Sequence, residues 1–94
     1  MYFDLAAFGQ RIRKIRKQRG LTQVQMAAAL HINIDHLSRI ELGKRGVSVD
    51  LLFDIADLLN ASADFLVRGT GRSDRSVEDL IVQIRDLLDH YEVM

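Results

Sequence analysis

The chain has no cysteine and no proline. Without cysteine it can form neither disulfides nor thiolate metal sites. Long apolar runs are missing too, since no stretch approaches the roughly 20 residues of a membrane span. The opening Met1-Tyr2-Phe3-Asp4 lacks a basic region followed by an apolar stretch, so no secretory signal is visible. The expected location is the cytoplasm, on the nucleoid if the partner is DNA, with no membrane partner. Catalytic equipment is also scarce. The three histidines are scattered, and His31 and His36, five residues apart, do not share a helix face. No nucleophile–base constellation accompanies them, and no cysteine or spaced histidine pair completes a metal site. The expectation is a protein that is not an enzyme, with no metal and no cofactor.

What is present suffices for one small domain. Ninety-four residues, 48% of them apolar, can bury a modest core without staples. Thirteen basic and thirteen acidic side chains cancel, which by itself argues against a polyanionic partner. Their distribution argues the other way. Residues 1–50 carry nine basic and four acidic side chains, a net of +5, and residues 51–94 carry four and nine, a net of −5. Only the surface that faces phosphates has to be basic, so this division suits a nucleic-acid binder of low overall charge.

Helix signals recur along the whole chain, giving an all-α expectation. Asp4 can cap a first helix whose apolar positions Leu5, Phe8, Ile12 and Ile15 recur at helical spacing, with Gly20 as its stop. The other face of that helix, Arg11, Arg13, Lys14, Lys17 and Arg19, is either a solvated surface or a phosphate contact. Thr22 followed by Gln25 is a capping box that opens a second helix ending at Leu30. His31 occupies a turn where the backbone is expected to be left-handed, at a strain of order 1 kcal/mol. Asn33 caps a third helix, from about Ile34 to Leu42, stopped by Gly43 and followed by the basic loop Lys44-Arg45-Gly46. Ser48 with Asp50 opens a fourth helix with a stripe of Leu51, Leu52, Ile55, Leu58 and Leu59, and Asn60 is its left-handed stop. Ser62 with Asp64 opens a short fifth helix, in which Phe65 and Leu66 close the core. Gly69-Thr70-Gly71 marks the end of the compact unit, so the expected division is 1–69 and 70–94.

The second and third helices form the most informative segment. Met26, Leu30, Ile32, Leu37 and Ile40 supply the apolar positions that lock two short helices across a tight turn, and Ala27 is the small residue at their crossing. Such a helix-turn-helix presents its second member on the surface, and the major groove of DNA is wide enough to admit an α-helix.

The stretch Ile12 through Leu66 resembles the Xre-type, lambda-repressor-like family of helix-turn-helix transcription regulators. The residues that carry the likeness are Gly20-Leu-Thr-Gln23, Met26-Ala27, Leu30, Leu37-Ser-Arg-Ile-Glu41, Gly43-Lys44 and Ile55-Ala-Asp-Leu-Leu59. The resemblance implies a compact five-helix bundle that binds short inverted-repeat operators as a dimer and represses nearby genes, with double-stranded DNA as partner and no cofactor. It implies a phosphate contact and a brace on the recognition helix for Gln23. Base-reading positions fall on Asn33, Ile34, Asp35 and His36, and one turn later on Arg39. Arg39 is the favoured reader, because its planar fork can bond guanine O6 and N7 together. Ile34 would meet a thymine methyl, while Asp35 is either an acceptor from a cytosine amino group or a partner for the helix dipole. Lys44, Arg45, Arg13 and Lys17 are the backbone-contact candidates. The family's pairing of a first-helix arginine with the glutamate closing the recognition helix matches Arg16 and Glu41, and makes them structural. Three departures stand out: His31 replaces a turn glycine, Val47 stands where many members have proline, and Leu42 replaces a residue often polar in relatives.

Beyond the glycine joint, Ser76 with Asp79 opens another expected helix, with Val77, Leu80, Ile81, Ile84, Leu87, Leu88 and Tyr91 along one face. This stripe either folds back on the domain or forms the seam of a homodimer. A competing functional reading is an antitoxin whose acidic rear half neutralises a basic toxin while the front half binds its own promoter.

Overall fold

A computed structural model describes residues 3–70 and, beyond them, Ile84 alone. Five helices follow one another: α1 (Leu5–Gln18), α2 (Gln23–Ala29), α3 (Ile34–Glu41), α4 (Val49–Leu59) and α5 (Ala63–Arg68). Each begins at a side chain that accepts a backbone amide three residues on: Asp4, Thr22, Asn33, Ser48 and Ser62. At Thr22 the box is closed in both directions, because the Gln25 side chain accepts from the Thr22 amide at 2.9 Å.

The first four helices stop in the same way. The amide of the second residue beyond the last turn reaches back five positions: Leu21 to Arg16, Ile32 to Ala27, Lys44 to Arg39 and Ala61 to Ala56. This closure needs a left-handed residue. Gly20 and Gly43 supply it at φ 74°, whereas His31 and Asn60 adopt it at φ 57° and 50° despite carrying a Cβ.

The helices close around Phe8, Ile12, Met26, Leu37, Ile40, Ile55, Leu59 and Leu66, all of them fully buried. α1 packs against α3 and α5, α2 against α3, and α4 against α5. The α1–α3 crossing is especially close at Gly9. A Cβ on that residue would lie 2.3 Å from the Ile40 carbonyl oxygen and 2.6 Å from that of Glu41. Glycine in a helix interior costs about 0.5–1 kcal/mol relative to alanine, and here it allows two backbones to touch. Ala27, 3% exposed, is the small residue buried in α2.

Of the C-terminal apolar stripe, only Ile84 is described, helical and 48% exposed. Val77, Leu80, Ile81, Leu87, Leu88 and Tyr91 lie outside the described residues. Among the described residues no helix is long and apolar enough to cross a membrane.

Candidate nucleic-acid interface

α3 is amphipathic over its eight residues. Leu37 and Ile40 are fully buried, while Asn33, Ile34, Asp35 and Arg39 are exposed and His36 and Ser38 half-buried. The Asn33 Oδ1 accepts the His36 amide at 2.7 Å, which fixes the first turn of the helix. Across that turn, Arg39 Nε lies 3.2 Å from Asp35 Oδ2.

A buried polar cluster holds the far end of α3. Arg16 Nε donates to Glu41 Oε2 at 2.7 Å and Nη2 to Oε1 at 3.0 Å, a bidentate pair with side chains only 8% and 2% exposed. Its Nη1 donates to the Leu21 carbonyl at 2.8 Å. Gln23 Nε2 adds a third donor to the carboxylate, at 3.1 Å from Oε1. One carboxylate at the end of α3 is thereby tied to α1 and to the start of α2. No described buried side-chain nitrogen or oxygen lacks a partner, as such a cluster requires if it is not to destabilise the core.

A groove runs beside this cluster. Arg13 from α1, the cap residue Thr22, Gln23 and Val24 from α2, and Ile34, Ser38 and Leu42 from the α3 region line it. Arg13, Gln23 and Ile34 are therefore brought together. Lys17 is exposed on α1 beside Arg13 and Lys14, and Lys44 and Arg45 are exposed in the loop after α3.

The basic face of α1 divides. Arg13, Lys14 and Lys17 face solvent, but Arg11 Nη1 donates to the Leu66 and Val67 carbonyls at 3.0 and 3.3 Å. Arg19 donates from Nε to the Leu59 carbonyl at 2.7 Å and from Nη2 to that of Asn60 at 3.4 Å. Arg11 and Arg19 thus engage the carbonyl-rich ends of α5 and α4, where a cation complements the helix dipole. Both fasten the bundle, a role that neither the solvated nor the phosphate reading of this face included. Sequence reasoning also passed over Ser38 and Val24 in the groove, and Gly9. A glycine in mid-helix was the available signal for the last.

A family model described as helix-turn-helix matches residues 12–66, more than half of the chain. The chain belongs to the helix-turn-helix family, in its Xre-type, lambda-repressor-like branch. It is a DNA-binding transcriptional regulator. The helix-turn-helix chain is 48% identical over 59 residues to the uncharacterized HTH-type transcriptional regulator YazB of Bacillus subtilis (strain 168), covering 63% of the chain and 86% of that protein. It is 31% identical over 75 residues to the HTH-type transcriptional regulator ImmR of the same organism, covering 80% of the chain and 59% of ImmR. Among solved structures, the restriction-modification controller protein C.AhdI from Aeromonas hydrophila superposes with a TM-score of 0.63 at 32% identity, over 67% of this chain and 96% of that one.

Proposed function

We propose that this regulator is a repressor that binds an inverted-repeat operator as a homodimer, with α3 in the major groove. The observation that carries the reading is the contrast between the two sides of α3. One side is buried and tied through Glu41 to Arg16 and Gln23, while Asn33, Ile34, Asp35 and Arg39 remain exposed on a helix whose angle is fixed. A reading helix needs both properties, since base edges are recognised only by side chains held in register.

Arg39 reads guanine, Ile34 meets a thymine methyl, and Asn33 and His36 face neighbouring base pairs, while Asp35 lies beside Arg39 on the same exposed side of α3. Lys44, Arg45, Arg13 and Lys17 neutralise phosphates. Gln23 commits one Nε2 hydrogen to Glu41 and keeps the second for a phosphate oxygen. Residues 1–69 form the reading unit and residues 70–94 the dimerising one, through the stripe from Val77 to Tyr91.

Binding of a selected duplex measured across a salt series tests this. Four cations in each protomer make eight in a dimer, and at about 0.9 per phosphate the log–log slope is about −7. A slope of about half that, near −4, would indicate that a single protomer binds. Absence of any DNA retention at low salt would reject the reading, and co-purification of a small basic protein that displaces DNA would favour the antitoxin.

A further inference from the structure

On α3, Arg39 Nε is paired with Asp35 Oδ2 at 3.2 Å, and both side chains are open to solvent, at 57% and 71% exposure. An exposed pair one turn apart contributes little to stability, because water screens it and two long side chains must be ordered. The fold does not depend on it. Its geometry bears on recognition instead. A guanidinium is a planar fork in which the Nε–H is on one edge and the two Nη groups carry the remaining four hydrogens. The Asp35 carboxylate lies nearest the Nε edge, and among the described residues no hydrogen bond engages either Nη group of Arg39. Bidentate reading of guanine O6 and N7 requires two nearly parallel N–H groups held in one plane, which the paired Nη groups supply.

We infer that Asp35 is a positioning residue: it holds the Arg39 guanidinium by Nε, so that the Nη groups are presented to guanine, and it touches no base itself. This inference rests on the reading of guanine by Arg39 proposed above.

A free arginine on a DNA-facing helix can turn to several phosphates and base edges, and ordering it on guanine costs entropy. Tethering limits that choice before binding. The carboxylate also repels the phosphate backbone, so its presence lowers affinity for every duplex and must be offset by discrimination. Water exclusion in the groove strengthens the pair, because a lower local dielectric raises its attraction. Asp35 therefore exchanges general affinity for selectivity, which neither a helix-dipole partner nor a direct base reader would do in the same way.

The experiment uses the full chain with Asp35→Ala, Asp35→Asn, Arg39→Ala and the Asp35→Ala/Arg39→Ala double variant. Binding is measured at one salt concentration to the selected operator, to every single-base-pair substitution of it, and to an unrelated duplex. Asp35→Ala and Asp35→Asn should lose about tenfold discrimination, within the range of one bidentate contact, at the same base pair that Arg39→Ala affects. Both should bind the unrelated duplex more tightly, and the double variant should discriminate no worse at that pair than Arg39→Ala. Unchanged melting temperatures would exclude a folding defect. If Asp35→Ala alters preference at a different base pair, Asp35 reads a base directly and the inference is overturned; unchanged preferences overturn it as well. Should Arg39→Ala itself keep every preference, the assignment of Arg39 as a reader fails first and the role given to Asp35 falls with it.

Discussion

Replacing Arg16 by methionine removes the guanidinium and keeps most of the apolar stem. The Glu41 carboxylate, 2% exposed in its side chain, then loses two donors at 2.7 and 3.0 Å and retains only Gln23 Nε2 at 3.1 Å. The Leu21 carbonyl loses its donor at 2.8 Å in the same step. Breaking one partner of a buried pair costs about 3–5 kcal/mol, because the other charge remains uncompensated. A small domain has only about 5–15 kcal/mol in all, so urea unfolding followed by circular dichroism should place Arg16→Met near the edge of folding. Each kcal/mol should lower the melting temperature by about 4–8 °C. The Arg16→Met/Glu41→Leu double variant should recover much of this loss, since apolar replacement of a complete buried pair is often neutral or stabilising. It should nevertheless bind operator more weakly, because α3 is no longer tied to α1 and α2 through its last residue. A cost below about 1 kcal/mol for Arg16→Met, the range of a surface pair, would refute the account of the cluster. Full operator affinity in a stable double variant would refute its role in orienting α3.

Four further outcomes are expected. Gly9→Ala should destabilise by about 1–3 kcal/mol in thermal melts, despite the better helix propensity of alanine, because the new Cβ would meet the Ile40 oxygen at 2.3 Å. His31→Gly should raise stability by up to about 1 kcal/mol, since glycine adopts the observed φ of 57° without a Cβ penalty. Lys44→Ala or Arg45→Ala should weaken binding to all duplexes alike and flatten the salt slope by about 1 for each protomer contact removed. Leu80, Ile84 and Leu87 replaced together by aspartate should give a folded monomer in sedimentation that binds operator far more weakly; a variant still sedimenting as a dimer would favour back-packing of the stripe.

Helix boundaries were legible in the sequence because capping is local chemistry. Asp4, Thr22, Asn33, Ser48 and Ser62 need only a backbone amide three residues away, and each finds it. The core was legible for a related reason, as Phe8, Ile12 and Ile15 recur at helical spacing and all three are buried. Contacts distant in sequence carry no such local sign. Arg11 and Arg13 look alike in sequence, yet Arg11 meets carbonyls 55 and 56 residues away while Arg13 lines the groove. The turn at His31 was readable despite the missing glycine, because the apolar frame on either side, from Met26 to Leu37, requires a reversal there. The link from Gln23 to Glu41 spans 18 residues and depends on the crossing of α2 and α3. The resemblance pointed to a brace, but only the packed helices identify the atom that Gln23 holds.

The central claim is that exposed α3 side chains read a symmetric site in the major groove. Selection of random duplexes by the full chain, followed by sequencing, tests it most directly. The account predicts an inverted repeat with half-site centres about 34 Å, or one helical turn, apart, containing a guanine whose enrichment disappears when Arg39→Ala is used in the selection. Enrichment of no sequence at all, or of one without two-fold symmetry that Arg39→Ala selects equally well, would contradict it.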